Sequence, residues 1–135
     1  MNDISRPVRG ADRDKALALV KASYAAYVAK DRAALERILA DDFHFTSPLD
    51  NRLDRKTYFA RCWPNSEKIR DFEFVNLVSL DGAQVFVTYI ATNADGQRFR
   101  NTEIMTLRGD KIANVEVYFG WSLPHEAKPG GFVEK

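Results

Sequence analysis

Four strand-length runs, joined by turns too short to carry a crossover, fill the second half of the chain. They limit its possible folds more than any other feature. The runs are "DFEFVNLVSL", "AQVFVTYIATN", "RFRNTEIMTLR" and "KIANVEVYFGW", each with a period of two. Asp81-Gly82, Asp95-Gly96 and Gly109-Asp110 separate them, and such pairs are strong hairpin signals. Connections this short join neighbouring antiparallel strands, so the pattern predicts a meander.

The third run assigns its own faces. Phe99, Asn101, Glu103, Met105 and Leu107 alternate with Arg100, Thr102, Ile104, Thr106 and Arg108. The first set is the apolar one and is expected to face the core. It carries an amide and a carboxylate with it. A buried carboxylate is costly unless it is bonded, protonated or used, so Glu103 is the first candidate for function. Two registers are open for the preceding run. A two- or four-residue loop at Asp95-Gly96 sets Phe86, Thr88 and Ile90 beside Glu103, whereas a three-residue loop sets Val85, Val87 and Tyr89 there.

Upstream, the period is helical. Leu17, Val20, Tyr24, Tyr27 and Val28 form one stripe, with Asp12 or Asp14 as its cap. Asp31 can cap a second, short helix whose stripe is Leu35, Ile38 and Leu39. "FHFTS" then alternates, with Phe43, Phe45 and Ser47 on one face and His44 and Thr46 on the other, until Pro48 ends the strand. Asp54 can cap a third helix that stops before Pro64. Residues 1–11 and 123–135 read as tails around one domain, residues 12–122. Helices first and a curled antiparallel sheet second predict an α+β domain with the helices over one sheet face. The other face carries Ile104, Tyr118 and Trp121 among polar residues, which predicts a homodimer.

Composition excludes several classes. The chain has 135 residues, 45% apolar and 29% charged, as expected of a soluble globular domain. A net charge near +1 without long charged runs speaks against nucleic acid and anionic membrane as partners. One cysteine, Cys62, allows no internal disulfide, and lone His44 and His125 make no metal site. The first residues are charged and lack the apolar core of a signal peptide, and no apolar run approaches a membrane span, so cytoplasmic residence is expected.

The order of elements, "AKDRAALERILADDFHFTSP", the Asp-Gly hairpins and the closing "EIMTLRGDKIANVEVYFGW" together resemble the nuclear transport factor 2-like superfamily, in particular its SnoaL-like and ketosteroid isomerase-like members. The resemblance covers roughly residues 13–121. It implies a cone-like curved antiparallel sheet wrapped around three N-terminal helices and enclosing an apolar pocket. In ketosteroid isomerases an aspartate before a proline, after the first strand, is the base; here that place holds Ser47 before Pro48. A first-helix tyrosine helps form the oxyanion hole; the matching place is about Ser23, with Tyr24 adjacent and Tyr27 one turn on. An acid on the third meander strand completes that hole, and it matches Glu103. The Asp-Arg-Asp set of limonene epoxide hydrolases has no equivalent.

A protonated Glu103 could donate a hydrogen bond to a carbonyl or oxyanion, with Tyr24 or Tyr27 assisting. Asn101 and Met105 share its face, and Phe119 lies on the last strand. Tyr58 and Cys62 are four apart on the third helix, as are Phe59 and Trp63, so one pair lines the pocket and the other packs away from it. Tyr58, Cys62 and Trp63 are therefore pocket candidates, beside Ser47 and Asp50, which stands in as the only nearby substitute for the missing base. Two readings follow. In one, the domain binds a small, mostly apolar, oxygenated molecule and isomerises, cyclises or dehydrates it without a cofactor. In the other it is a non-enzymatic ligand-binding or protein-interaction module in which Glu103 is structural.

Overall fold

Chain order is α1 (Gly10–Ala29), α2 (Arg32–Ile38), β1 (Leu39–Ser47), β2 (Asp50–Asp54), α3 (Arg55–Arg61), a 3-10 turn (Trp63–Lys68), β3 (Ile69–Val78), β4 (Gln84–Asn93), β5 (Arg98–Arg108) and β6 (Lys111–Leu123), in a computed structural model that describes residues 10–130. Most of the expected N-terminal tail and the end of the C-terminal one, residues 131–135, lie outside the described residues. Helix α1 already includes Gly10, so Asp12 stands in its first turn rather than at the cap. A carboxylate there still favours the helix, because it faces the positive end of the dipole. Among the described residues no helix is long and apolar enough to cross a membrane.

Local chemistry sets the helix joints. Lys30 takes a left-handed φ of 57° and ends α1. Asp31 then caps α2, its carboxylate accepting from the Ala34 N–H at 3.1 Å. Asp54 does the same for α3, accepting from the Thr57 N–H at 2.8 Å.

The sheet is six-stranded, ordered β2-β1-β6-β5-β4-β3. Strands β3 to β6 form the expected antiparallel meander. Strand β1 lies beside β6 and runs parallel to it, so the sheet is mixed rather than wholly antiparallel. No short turn links those two strands, so nothing local dictates their relative direction. Strand β2, a charged five-residue edge strand, folds back on β1 between Pro48 and the third helix. Ala94, Asp95 and Gly96 form a three-residue loop, closed by Asn93 N–H to Gln97 O at 2.7 Å and Gly96 N–H to Asn93 O at 2.9 Å. The three-residue register is therefore the one adopted, and Val85, Val87 and Tyr89 face inward opposite Met105, Glu103 and Asn101.

Register shifts bend the sheet into a curve that holds the helices on its concave face. Val20 of α1, Phe43 of β1, Val85 and Val87 of β4 and Ile112 of β6 form the sealed centre of the core. On the convex face, Val78, Phe86 and Ile104 lie side by side across three strands, with Tyr118 half-exposed nearby. Trp121 does not join them. Between the Asn101–Phe119 and Phe99–Ser122 pairs, β6 carries one extra residue, which sets Trp121 opposite Arg100, whose guanidinium lies 5.9 Å from the centre of its ring, while the indole also reaches the cavity mouth.

Gly120 sits at that bulge. A Cβ there would lie 2.2 Å from the Arg100 carbonyl oxygen, a contact no side chain can relieve. Gly120→Ala must therefore part β5 from β6, and a loss of roughly 1–3 kcal/mol is expected, as for other overpacked sites. Denaturant melts of the two proteins check this; an unchanged midpoint would show that the strands yield freely here.

Candidate functional site

The curved sheet and the helices above it enclose a cavity of about 550 Å³. Its walls are largely aromatic and aliphatic. Tyr58 lies edge-on to Phe43 at 5.2 Å between ring centroids, and Tyr24 lies edge-on to Phe72 at 4.9 Å and to Phe74 at 5.2 Å. The mouth is rimmed by exposed Leu49, Phe119 and Trp121 together with Asn65 and Lys68.

Glu103 faces into this cavity from the middle of β5. Both of its oxygens are engaged. Tyr24 of α1 donates its hydroxyl to Oε1 at 2.9 Å, and Tyr89 of β4 donates its own to Oε2 at 2.8 Å. Asn101 supports the second tyrosine, its Nδ2 donating to Tyr89 Oη at 3.3 Å, while its Oδ1 accepts from the Gly120 N–H at 3.1 Å. Protein surrounds the carboxyl on every side, and what surface it keeps faces the cavity. No cation is paired with it among the described residues. Burial therefore pushes its pKa above the ordinary 4.5, outweighing the two tyrosine bonds, which pull it down. Burial, followed by the repulsion of a nearby Glu103 charge, also raises the Tyr24 and Tyr89 hydroxyls, so both stay protonated donors.

The structure brings most of the other candidates to the same cavity, in different roles. Tyr27 lines it but donates to the Cys62 carbonyl at 3.2 Å, not to Glu103. Ser23, at the position matched to the oxyanion-hole tyrosine, donates to the Val20 carbonyl at 2.6 Å. Of the two pairs on α3, Tyr58 and Cys62 face the cavity. Trp63 does not, which corrects its placement as a pocket residue: it packs edge-on to Tyr27 and against Phe59, where the 3-10 turn begins. The Cys62 thiol is pushed up to about 11, chiefly by burial and then by Asp50, so it is a neutral wall group rather than a nucleophile. Asn101, Met105 and Phe119 line the cavity from β5 and β6, and Ser47 and Asp50 from β1 and β2. Ser47 Oγ accepts from the Leu49 N–H at 3.1 Å. Asp50 keeps only 12% of its side chain exposed and meets Arg61 Nη2 at 3.2 Å.

Tyr89 enters the sequence reading only as one of two open registers beside Glu103, not as a named site residue. It was recoverable only through the loop length that fixes the β4 register. His44 lies outside the cavity lining, and exposed His125 packs edge-on to Trp121 at 4.9 Å. Among the described residues no three His, Cys, Asp or Glu side chains cluster as metal ligands.

No curated protein matches the chain. Solved structures share its fold. An NTF-2-like protein of unknown function from Burkholderia xenovorans is 25% identical, with a TM-score of 0.70 over 85% of this chain and 88% of its own. A candidate ketosteroid isomerase from Kribbella flavida is 15% identical, with a TM-score of 0.71 over 92% and 91%. An LEH-like epoxide hydrolase from M. tuberculosis is 18% identical, with a TM-score of 0.66 over 81% and 85%. The SnoaL-like domain family matches residues 20–115, and with the cone and its inward acid already in view the chain belongs to that family.

Proposed function

We propose that this domain binds a small, mostly apolar, oxygen-bearing organic molecule and acts on it by acid–base chemistry that needs no cofactor. One observation carries the reading: a carboxyl group with no cation beside it faces an aromatic cavity, with two tyrosine hydroxyls on its oxygens. A neutral Glu103 has a proton to donate. Passed to Tyr24 Oη, that hydrogen bond frees the tyrosine O–H to turn toward a ligand oxygen. The pair then acts as one donor to a carbonyl, an epoxide or a leaving hydroxyl. Isomerisation, cyclisation and dehydration all need such a donor. The structures of similar fold include proteins described as a candidate polyketide cyclase, a candidate ketosteroid isomerase and an epoxide hydrolase, which is compatible with this chemistry.

A second reading has its own support. Both Glu103 oxygens already have internal partners, and Ser47 stands where a base would be. A binding module of the same fold would need no more than this.

Glu103→Gln separates the two. The amide keeps the shape of the acid and can still accept from one tyrosine and donate to the other. Turnover found in a screen of cyclic ketones, enones and epoxides is expected to fall about 10²–10⁴-fold while affinity changes little. Equal turnover by the variant would discard the acid role, whereas binding without turnover by wild type would leave the binding module.

Melting temperature gives a test that needs no substrate. The native pKa of Glu103 is raised, so below 4.5 the group is protonated in both the folded and the unfolded chain and its contribution is fully present. As pH rises from 4.5 through the native value, the folded chain binds more protons than the unfolded one, and stability falls. Glu103→Gln lacks this loss. The variant should gain on wild type as pH rises, and a wild type that gains instead would mean the carboxylate is held ionised.

The convex face supports assembly as a two-fold dimer. Val78, Phe86 and Ile104 lie in one row there, and each large apolar side chain buried contributes about 1.5–3 kcal/mol. Light scattering should give a two-chain mass for wild type and a one-chain mass for Ile104→Asp. A monomeric wild type at micromolar concentration contradicts the dimer.

A further inference from the structure

The cavity has a second polar end, at Asp50. Pairing across the sheet shows how the two ends are arranged. Asp50 of β2 stands opposite Ser47 of β1. Thr46 pairs with Glu116, so Ser47 lies level with Val117 of β6, and Val117 pairs with Glu103 of β5. Asp50, Ser47, Val117 and Glu103 thus form one row across four neighbouring strands, and all of them line the cavity. Three strand spacings put the two acidic positions about 14 Å apart along the curved sheet, and side chains reaching inward shorten the span.

The ends differ in chemistry. At Glu103 the neighbours are neutral hydroxyls and an amide, so that end offers hydrogen-bond donation to an acceptor. At Asp50, one carboxylate oxygen meets Arg61 Nη2, and no protein donor reaches the other among the described residues. An aspartate in an ion pair accepts hydrogen bonds and donates none. Arg61 offsets its charge, and Lys68 adds a positive charge at the mouth, so a ligand ammonium would be disfavoured here. A neutral hydroxyl fits, because it can donate to the open oxygen of Asp50. Between the two ends the lining is aromatic and aliphatic and offers a flat molecule stacking surface.

We infer that the ligand is a neutral, elongated hydroxy-carbonyl compound whose carbonyl oxygen lies at Glu103 and Tyr24 and whose hydroxyl donates to Asp50. This rests on the reading of the cavity as a small-molecule site, and it adds the class of molecule and its direction.

The test titrates full-length wild type and Asp50→Ala with four probes. They are 4-(4-hydroxyphenyl)cyclohexanone, 4-phenylcyclohexanone, 4-(4-methoxyphenyl)cyclohexanone and 4-(4-oxocyclohexyl)benzoic acid. Wild type should bind the phenol about tenfold or more tightly than the phenyl and methoxy ketones, as one hydrogen bond to a charged group provides. In Asp50→Ala that preference should vanish while affinity for 4-phenylcyclohexanone stays the same, which also shows that the variant is folded. The partner left behind, Arg61, is 62% exposed and is solvated without Asp50. Equal binding of phenol, phenyl and methoxy ketones by wild type overturns the inference and leaves the cavity reading standing. A preference that survives in Asp50→Ala, or tighter binding of the benzoic acid than of the phenol, overturns it in the same way. If none of the four binds, the cavity reading falls too.

Discussion

A carboxyl group inside an apolar cone must be held by hydrogen-bond donors or give up its charge, and the rest of this structure is arranged around that requirement at Glu103. The tyrosines that meet it come from different elements, Tyr24 from α1 and Tyr89 from β4. Asn101 extends the same network to the backbone of β6 through Gly120. One side chain therefore ties the covering helix to three adjacent strands. The groups that close the cone over its core are also the polar floor of the cavity. Two roles meet in one residue, and a change there acts on both unless, as an amide does, it keeps the shape and the bonding capacity.

The network depends in turn on strand register. Moving β4 by one residue against β5 would place Thr88 inside and turn Tyr89 outward, because side chains alternate across a strand. The three-residue loop Ala94-Asp95-Gly96 prevents this, with Gly96 in a left-handed conformation that its lack of a Cβ permits. At the far side of β5, the bulge at Gly120 works in the opposite sense. It makes Ser122 the inward neighbour of Phe99, sets Trp121 beside Arg100 at the edge of the cavity mouth and frees the Gly120 N–H for Asn101. A tight loop and a bulge, both built on glycine, thus decide which aromatic residues enter the cavity.

What the amino-acid order made legible follows from these same causes. Alternation within "FRNTEIMTLR" placed Glu103 and Asn101 inside because a run of ten with two clear faces leaves no doubt about its parity. The stripe through Tyr24 set that residue on the buried side of α1 for the corresponding reason at helical period. Where parity was ambiguous, sequence reasoning stopped: Tyr89 could be placed only once the loop length was known. Trp121 lies where a bulge adds a residue without any sign in composition, so alternation alone could not fix its side. Trp63 goes with Phe59, four residues before it, and spacing alone could not tell which of the two pairs on that helix faces the cavity. Strand β2 was missed because "DNRLD" has no apolar face, and a short charged edge strand is stabilised by its pairing alone. The parallel contact of β1 with β6 joins residues far apart in sequence, and no local signal encodes it.

The site holds one buried carboxyl group with its hydrogen-bond partners already in place. Burial without a cation favours a neutral Glu103, and a neutral acid is a donor whether or not a reaction follows. Binding and catalysis therefore share their first requirement here, recognition of a ligand oxygen. What separates them is a second group able to take a proton from the same ligand. Ser47 occupies that position and lacks the basicity for it. Asp50, three residues on, lines the same cavity from the neighbouring strand, but it is held against the Arg61 guanidinium at 3.2 Å. An ion-paired carboxylate is better suited to holding a hydroxyl in place than to removing a proton from carbon. The fold is shared by proteins described with different activities, and such differences arise where residues on a common frame are exchanged. In this chain the frame carries the Glu103 carboxyl at the centre of the sheet and the Asp50–Arg61 pair near its edge.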